Sequence, residues 1–365
     1  MALLLSLLVL FLAPVPGAGQ RAAPDQSPDT TREGSSSRSW IVLPHVFSSP
    51  ETGVAGGVVG VYYPDAGGGS QQSVLLANIT YTAKRQVIGE FIPELYFGEG
   101  RLWLRGELRA MEYPDVFYGI GNRARASDEE DFTTRSLDLR VSLQRRLGKA
   151  LWVGGLARFR GDDLIEREEG GLLDPGGIPG SRGGRAVGAG LLATRDTRDR
   201  TLWPRQGSFI EASWTAYTSL LGSEFDYGVG ILDLRHFRPV GGEGVLAVRG
   251  YLEGVEGTAP FILLPRLGGS RLLRGYREGR YRDDYLAVAQ AELRLPLWWR
   301  IGATVFGGVG EVAGGLDAFP DPENWEACLG AGLRFFVNDA GGTLRLDWAR
   351  ARDGGGLYIS VGEAF

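Results

Sequence analysis

The segment from Gly268 to Asp283, GGSRLLRGYREGRYRD, carries the side chains best suited to specific polar chemistry in this sequence. It is rich in arginine, and Arg274, Gly275 and Tyr276 lie at its centre. A planar guanidinium can donate parallel hydrogen bonds to carboxylates, so Arg274 is a candidate for an ion pair. The segment lies in a long polar interval between two strand-like stretches. We therefore predict that it folds back into the lumen of a β-barrel and meets carboxylates on the wall; the alternative is a solvated extracellular loop.

Few other residues could take part in bond-making chemistry. The chain has two histidines, His45 and His236, and a single cysteine, Cys328. A structural zinc site draws on about four Cys and His ligands, and this supply is too small for one. The sequence also lacks a G-x-S-x-G motif and a phosphate-binding glycine loop. We therefore expect no catalytic residue, no metal site and no cofactor, and we expect that the protein is not an enzyme.

The charge of the chain bears on two classes of partner. The formal net charge of -5 gives no reason to expect nucleic acid as a partner. Acidic clusters at 128–131 and 166–169 could bind calcium through carboxylate oxygens. Because such clusters are also typical of loops exposed to water, we interpret them as solvated extracellular loops.

Most of the chain after residue 53 consists of segments of about ten residues in which apolar and polar side chains alternate. Similar alternation runs through 101–111, 210–216, 246–253 and 344–348. Successive side chains of a strand point to opposite faces of its sheet, so each segment has one apolar and one charged face. This pattern is typical of transmembrane β-strands. In the clearest case the apolar residues are Leu137, Leu139, Val141 and Leu143, and they alternate with Asp138, Arg140, Ser142 and Gln144.

The alternation fits an inside-out barrel or a soluble β-sandwich, and two features favour the barrel. No fully apolar core strand interrupts the pattern, and aromatic residues lie near predicted strand ends, as an interfacial girdle requires. Short connections such as 147–150 contrast with long ones such as 254–284. Because fifteen segments can be placed and an even number is expected, we predict an all-β transmembrane antiparallel β-barrel of sixteen strands with a long loop in the lumen. The predicted girdle residues are Trp103, Tyr113, Trp152, Trp203, Trp298 and Trp299.

The N-terminal residues predict export rather than folding. Residues 1–19 contain an uncharged apolar run followed by prolines and small residues, which is the pattern of a secretory signal peptide. A membrane anchor is the alternative, but the unbroken apolar run is shorter than the ~20 residues that a spanning helix needs. Residues 20–39 are rich in Ser, Pro and charged residues and predict a disordered linker. The barrel is then expected over residues 40–365.

Several motifs in the C-terminal half resemble those of one protein family. The segment 273–283, LRGYREGRYRD, is similar to the lumenal-loop signature of the BamA/TamA family of outer-membrane assembly factors, also called bacterial surface antigens. The final residues, YISVGEAF, place Tyr358, Gly362 and Phe365 as in the C-terminal signal of new barrel proteins. The other motifs follow the family's order and are RDTRDRTLWPRQGSFIEAS (195–213), AQAELRLPL (289–297), VFGGVGEV (305–312), GAGLRF (330–335) and LRLDWA (344–349).

The resemblance implies which wall residues meet the loop. Arg274 should enter the lumen and pair with Glu292 of the AEL segment. The family often places an aspartate two residues after the Phe of the next strand, where this sequence has Gly308. Glu311 of the same strand is a candidate replacement, although its odd spacing from Gly308 puts it on the opposite face of a regular strand.

The resemblance also implies a role at the bacterial cell outer membrane. The expected role is to assist the insertion or translocation of proteins, or of lipids, through a weakly closed seam between the first and last strands. Family members that insert proteins carry periplasmic POTRA domains that receive the substrate, and residues 20–39 are too few to form one. The expected partners are outer-membrane lipid and periplasmic or other outer-membrane proteins.

Two other functions stay open at this point. One is an outer-membrane hydrolase that uses one of the two histidines. The other is a passive or gated pore for small solutes or a secreted partner, whose lumen would be lined by Arg105, Arg109, Arg140, Arg249 and Arg345.

Overall fold

Residues that alternate in the sequence also alternate in exposure. The computed structural model describes residues 40–64, 72–319, 321–337, 342–352 and 354–365. In the strand 130–146, for example, Leu143 is 48% exposed and the next residue, Gln144, is fully buried. The outer face of the sheet is apolar and its inner face is largely polar, which is the arrangement expected where hydrocarbon surrounds the sheet.

The strands of the described residues are β1 (Trp40–Ser49), β2 (Gly53–Tyr62), β3 (Val74–Thr82), β4 (Val87–Phe97), β5 (Leu102–Phe117), β6 (Glu130–Arg146), β7 (Leu151–Arg167), β8 (Gly184–Asp196), β9 (Gly207–Tyr217), β10 (Tyr227–Val240), β11 (Gly244–Gly257), β12 (Arg266–Leu267), β13 (Tyr281–Arg282), β14 (Tyr285–Trp298), β15 (Ile301–Ala313), β16 (Glu326–Phe336), β17 (Thr343–Ala351) and β18 (Gly354–Val361). Short 3-10 helices occupy Ala126–Asp128, Ser219–Leu221, Phe261–Leu263, Leu316–Ala318 and Pro322–Asn324.

Sixteen of these strands close into one antiparallel barrel, in the order β1-β18-β17-β16-β15-β14-β11-β10-β9-β8-β7-β6-β5-β4-β3-β2. The remaining two, β12 and β13, form a separate two-stranded hairpin. No helix in the described part of the chain is long and apolar enough to cross a membrane. The predicted all-β fold with sixteen antiparallel strands is confirmed.

The two rims of the barrel differ in the length of their connections. One rim has short turns such as 98–101, 147–150 and 241–243, whereas the other carries long segments such as 118–129 and 258–284. Short turns are typical of the periplasmic side and long loops of the outside, so we call these the periplasmic rim and the extracellular rim.

The long connection between β11 and β14 fills part of the lumen. Its residues Leu267, Leu273, Tyr276 and Tyr281 are between 0% and 3% exposed and form one apolar cluster with side chains of β14, β15 and β16. It is one of several clusters of buried apolar residues in the described part of the chain. The barrel therefore has hydrocarbon-facing residues outside and a packed loop within.

The aromatic girdle predicted from the sequence is partly wrong. Trp298, the last residue of β14, and Trp299, in the turn that follows, are 74% and 72% exposed, as residues at a membrane interface would be. Trp103, Trp152 and Trp203 are 8% exposed or less. Trp103 stacks on Tyr96 with ring centres 5.7 Å apart and donates its indole N–H to Glu94, so it belongs to a polar and aromatic packing on the inner face. Position near a strand end does not determine which face a tryptophan occupies.

The predicted signal peptide (1–19) and linker (20–39) lie outside the described residues, and both stay predictions.

Candidate functional site

Arg274 connects the lumenal loop to two strands of the wall. Its Nη2 pairs with Oε1 of Glu292 on β14, and its Nη1 donates to Oδ2 of Asp347 on β17 at 2.6 Å. The guanidinium carbon lies 3.4 Å from the centre of the Phe306 ring. The side chains of all three charged residues are 1% exposed or less. Since β15 and β16 separate β14 from β17, this one side chain ties the loop across four adjacent strands.

The contacts of Arg274 belong to a larger buried set of charges. The other cations stabilise the same carboxylates, with Nη2 of Arg294 3.0 Å from Glu292 and Nη1 of Arg334 2.6 Å from Asp347. We call this set the lumenal ion cluster; it consists of Arg274, Arg294, Arg334 and Arg345 with Glu292, Asp347 and Glu363.

The electrostatics of the cluster explain how Arg274 is held charged. Burial by itself disfavours a charged guanidinium, but Glu292 and Asp347 outweigh that cost and leave the pKa of Arg274 above its ordinary value. Four arginines face three carboxylates, so each carboxylate can be shared between cations. The arrangement resembles a clamp that fixes a segment of chain rather than a site of bond-making chemistry.

Two glycines of the GAGLRF motif make room for this cluster. A Cβ on Gly332 would lie 2.0 Å from Oδ1 of Asp347, and one on Gly330 would lie 2.3 Å from the ring of Phe306. A side chain at either position would displace a group that contacts Arg274. The spacing of the motif therefore follows from the space that the ion pair and the ring require.

Gly275 and Tyr276 attach the loop to two further strands. The Gly275 N–H donates to the hydroxyl of Tyr358 on β18 at 2.9 Å, and its φ of +106° is in a region that favours glycine. Tyr276 is 1% exposed and its hydroxyl donates to Glu326 on β16. Burial raises the pKa of Tyr276, and the neighbouring carboxylate adds to this effect. The three residues Arg274, Gly275 and Tyr276 thus hold the loop against β14, β16, β17 and β18.

The structure brings Glu292 to Arg274 and places Glu311 elsewhere. Oε1 of Glu311 accepts a hydrogen bond from Nδ2 of Asn122 at 3.4 Å. Arg274 lies at the level of Phe306, five residues before Glu311 in β15, which is roughly 16 Å along a strand. The second carboxylate partner is therefore Asp347 and not Glu311, and this corrects the interpretation of the sequence.

Asp347 could have been found from the sequence. It lies in the LRLDWA motif, where Leu346 and Trp348 alternate with it and are 39% and 55% exposed on the outer face. That alternation already directs Asp347 into the lumen. Gly308, where an aspartate was expected, instead makes space for the loop, because a Cβ there would lie 3.1 Å from Cδ1 of Leu273.

The C-terminal motif has an unexpected course. Tyr358 is buried and bonds the loop as described, but β18 ends at Val361. Gly362 adopts a φ of +79° and its N–H donates to the carbonyl of Thr343 at 2.8 Å, so the chain turns away from the strand. Phe365 is 5% exposed, packs with Phe237 of β10, and its main-chain oxygen accepts a hydrogen bond from Nη2 of Arg294 at 3.0 Å. The sequence did not predict that the last residues cross the inside of the barrel.

The seam between β1 and β18 is paired far less than the other strand pairs. Its register contains the single pair Ser48 and Ile359. By contrast, β17 and β18 pair continuously from Leu344 and Val361 to Ala351 and Gly354. Most of β1 therefore meets its neighbour on one side only, through β2.

The lumenal arginines predicted from the sequence are mostly paired with carboxylates of the wall. Arg140 has no ion pair within the described ranges. The pairs of the other four are Arg105 with Glu211 at 2.6 Å, Arg109 with Glu90 at 2.7 Å, Arg249 with Asp233 at 2.9 Å and Arg345 with Asp347 at 3.4 Å.

The described residues contain no group of three or more His, Cys, Asp or Glu side chains that could hold a metal ion. Nδ1 of His236 lies 2.8 Å from the hydroxyl of Ser208 on an exposed part of the barrel. A hydroxyl and an imidazole in contact are two parts of a hydrolytic triad, which would also need an acid to orient the imidazole.

Comparison with known proteins finds one matching domain family and several similar solved structures. Residues 186–365 match the Omp85 superfamily domain. Among solved structures, BamA from Haemophilus ducreyi lacking POTRA domains 1-3 is similar at 16% sequence identity and a TM-score of 0.62, over 89% of this chain and 70% of that one. No curated protein sequence matches the chain significantly.

Two further solved structures share the architecture. CdiB from Escherichia coli is 12% identical with a TM-score of 0.61, and CdiB from Acinetobacter baumannii is 13% identical with a TM-score of 0.59. Each comparison covers 89% of this chain, but 63% and 59% of the respective CdiB chains. At these identities the likeness establishes the fold.

Proposed function

The chain is a BamA/TamA-like outer-membrane barrel of the Omp85 superfamily, and from that premise we propose that it assists the insertion or translocation of proteins at the bacterial outer membrane. Its route would be the seam between β1 and β18. A client strand would pair with the free edge of β1, as extended chains add to exposed sheet edges elsewhere.

The observation that carries this proposal is the single paired position of the seam. An unpaired sheet edge inside a bilayer leaves backbone groups without partners, and each such group costs free energy in hydrocarbon. An incoming strand could satisfy them. The pairing of Ser48 with Ile359 alone leaves the N-terminal part of β1, around Ile41 and Leu43, available for such an addition.

The same structure disfavours a passive pore. The connection between β11 and β14 packs into the lumen, and the lumenal ion cluster holds it there through Arg274. Ion pairs also neutralise most of the cations that would attract a solute. We infer that steady conductance is absent and that the chain works without bond-making chemistry of its own.

A disulfide across the seam tests the proposed route. Ser48→Cys and Ile359→Cys would join two residues that lie directly opposite each other in an antiparallel pair, a spacing compatible with a disulfide. The native Cys328 would be replaced by Ala in all variants. We expect the oxidised protein, reconstituted in vesicles, to lose its ability to speed the folding of an added unfolded barrel protein, and to recover it on reduction.

The matched control joins β18 to its other neighbour. Leu346 lies opposite the same Ile359, so Leu346→Cys with Ile359→Cys introduces a bond into a pair that is already closed along its length. This control should keep full activity when oxidised. Equal activity of both oxidised variants would show that the seam is not the route.

A further inference from the structure

Five exposed cations lie on the periplasmic rim, at the ends of three strands and in two of the turns between strands. Arg145, Arg195 and Arg238 lie near the ends of β6, β8 and β10, and Lys149 and Arg200 lie in the turns that follow β6 and β8. Within the described ranges none of the five has a carboxylate at ion-pair distance. We call these five residues the basic belt.

Three members of the belt point away from the lumen. Each of Arg145, Arg195 and Arg238 follows an outward-facing leucine of its own strand by two or four residues, and side chains at even spacing in a strand share a face. The arginines therefore continue rows of side chains that contact hydrocarbon. The leucines are Leu143, Leu191 and Leu234, exposed to 48%, 72% and 39%.

Few carboxylates on this rim could neutralise the belt. Asp199 accepts hydrogen bonds from the backbone N–H groups of Arg205 and Gln206, and Glu243 lies 4.0 Å from Arg205. The extracellular ends of β6 and β7 and the adjoining loops have the opposite character. Exposed carboxylates there are Asp128, Asp131, Glu166, Glu168 and Glu169.

The belt also lies on one side of the barrel. In the order of strands, β8 and β9 are directly opposite the seam between β1 and β18, and the belt spans β6 to β10. Near the seam the same rim has aromatic side chains instead, for example Trp40 stacked on Tyr62 with ring centres 4.5 Å apart. The cations are therefore concentrated on the side of the barrel that lies away from the seam.

We propose that the basic belt binds the anionic headgroups of phospholipids in the periplasmic leaflet. A guanidinium at the end of a lipid-facing strand can extend to the headgroup region while its stem stays against hydrocarbon, and it can bind phosphate through two hydrogen bonds. Each cation near an anionic membrane surface adds about 1 kcal/mol of attraction, which is about fivefold in affinity. Lipid is favoured over an acidic protein because the three arginines continue the lipid-facing rows.

Lipid binding at the basic belt would require neither the seam nor a client protein. Bound headgroups would hold the side away from the seam in a fixed position in the membrane. Movement of strands would then be confined to the region around β1 and β18, where the belt is absent.

The preference of the protein for anionic over zwitterionic lipid can be measured directly. The chain would be reconstituted in phosphatidylcholine vesicles containing spin-labelled phosphatidylglycerol or spin-labelled phosphatidylcholine, and the motionally restricted fraction of each would be compared. We expect restricted phosphatidylglycerol to exceed restricted phosphatidylcholine severalfold. The triple variant Arg145→Gln, Arg195→Gln and Arg238→Gln should bring the ratio close to one. High salt should reduce the ratio of the unmodified protein, which tests the proposal even if the variant folds poorly.

The control variant changes the same net charge on the other rim. Arg123→Gln, Arg125→Gln and Arg182→Gln replace three exposed arginines of the extracellular loops, and this variant should keep the wild-type ratio. An unchanged ratio in the belt variant would refute lipid binding. An equal decrease of the ratio in both variants would also refute lipid binding by the belt, because net charge alone would then account for the effect.

Discussion

Removal of the Arg274 side chain is the most direct test of how the lumenal loop is held. Arg274→Ala deletes the two ion pairs that Arg274 makes with the wall, to Glu292 and to Asp347, and removes the contact with the ring of Phe306. It leaves the backbone of the loop and its apolar cluster in place. The loss should therefore reflect the ion pairs rather than general unfolding of the loop.

The loss of stability in Arg274→Ala depends on which cations remain beside each carboxylate. Removing one partner of a buried ion pair costs about 3–5 kcal/mol when the other charge is left alone. Here Glu292 keeps Arg294 at 3.0 Å and Asp347 keeps Arg334 at 2.6 Å, so we expect about 3 kcal/mol, the lower end of that range. With about 2.1 cal/mol/K of unfolding entropy per residue, this lowers the unfolding temperature by about 4 °C.

The temperature at which the compact band disappears on unboiled gels measures this change. Arg274→Lys keeps the charge but lacks the fork of donors that binds two carboxylates, so it should lose most of the same stability. Arg125→Ala removes an exposed arginine of an extracellular loop and should have no effect. Bilayer recordings should show Arg274→Ala to be open more often than the unmodified protein, because the loop is held less firmly.

An unchanged melting temperature for Arg274→Ala would refute this reasoning. It would mean that the other contacts of the loop are enough to fix it and that the ion pairs of Arg274 contribute little. A loss as large in Arg125→Ala would also contradict it, since the effect would then not depend on burial.

Four further substitutions follow from the same geometry. Asp347→Asn should cost about 1–3 kcal/mol of stability and so lower the melting temperature. Glu311→Gln should change the melting temperature little, because Glu311 does not pair with Arg274. Tyr358→Phe removes the acceptor of the Gly275 N–H and should cost about 1–3 kcal/mol, seen as earlier digestion of the loop by added protease. Gly332→Ala should abolish the compact band altogether at temperatures where the unmodified protein keeps it, since the new Cβ would overlap a carboxylate oxygen.

Much of the architecture follows from alternation along the sequence. A strand with leucines at every second position, as at Leu137, Leu139 and Leu143, has one apolar face whatever surrounds it. When such strands recur without a second apolar layer to cover them, closure around a polar lumen satisfies both the faces and the backbone. The same local rule places Asp347 on the lumenal face, because its neighbours in β17 point outward.

Alternation alone does not determine what fills the lumen. Trp103 and Trp298 both lie near strand ends, yet one is packed inside and the other is exposed, because the face depends on the register of the whole strand and not on distance from its end. Whether Glu311 or Asp347 pairs with Arg274 likewise depends on how far along the barrel axis the loop places Arg274.

The sequence by itself determined the barrel, its sixteen strands and the arginine that enters the lumen, because these depend on residue types and spacing along one stretch of chain. The tertiary structure alone decided the second carboxylate, the inward turn at Gly362 and the single paired position of the seam. Each of these involves residues far apart in the chain, Arg274 with Asp347 and Ser48 with Ile359. Their contact depends on the curvature and closure of the whole sheet, which no local pattern specifies.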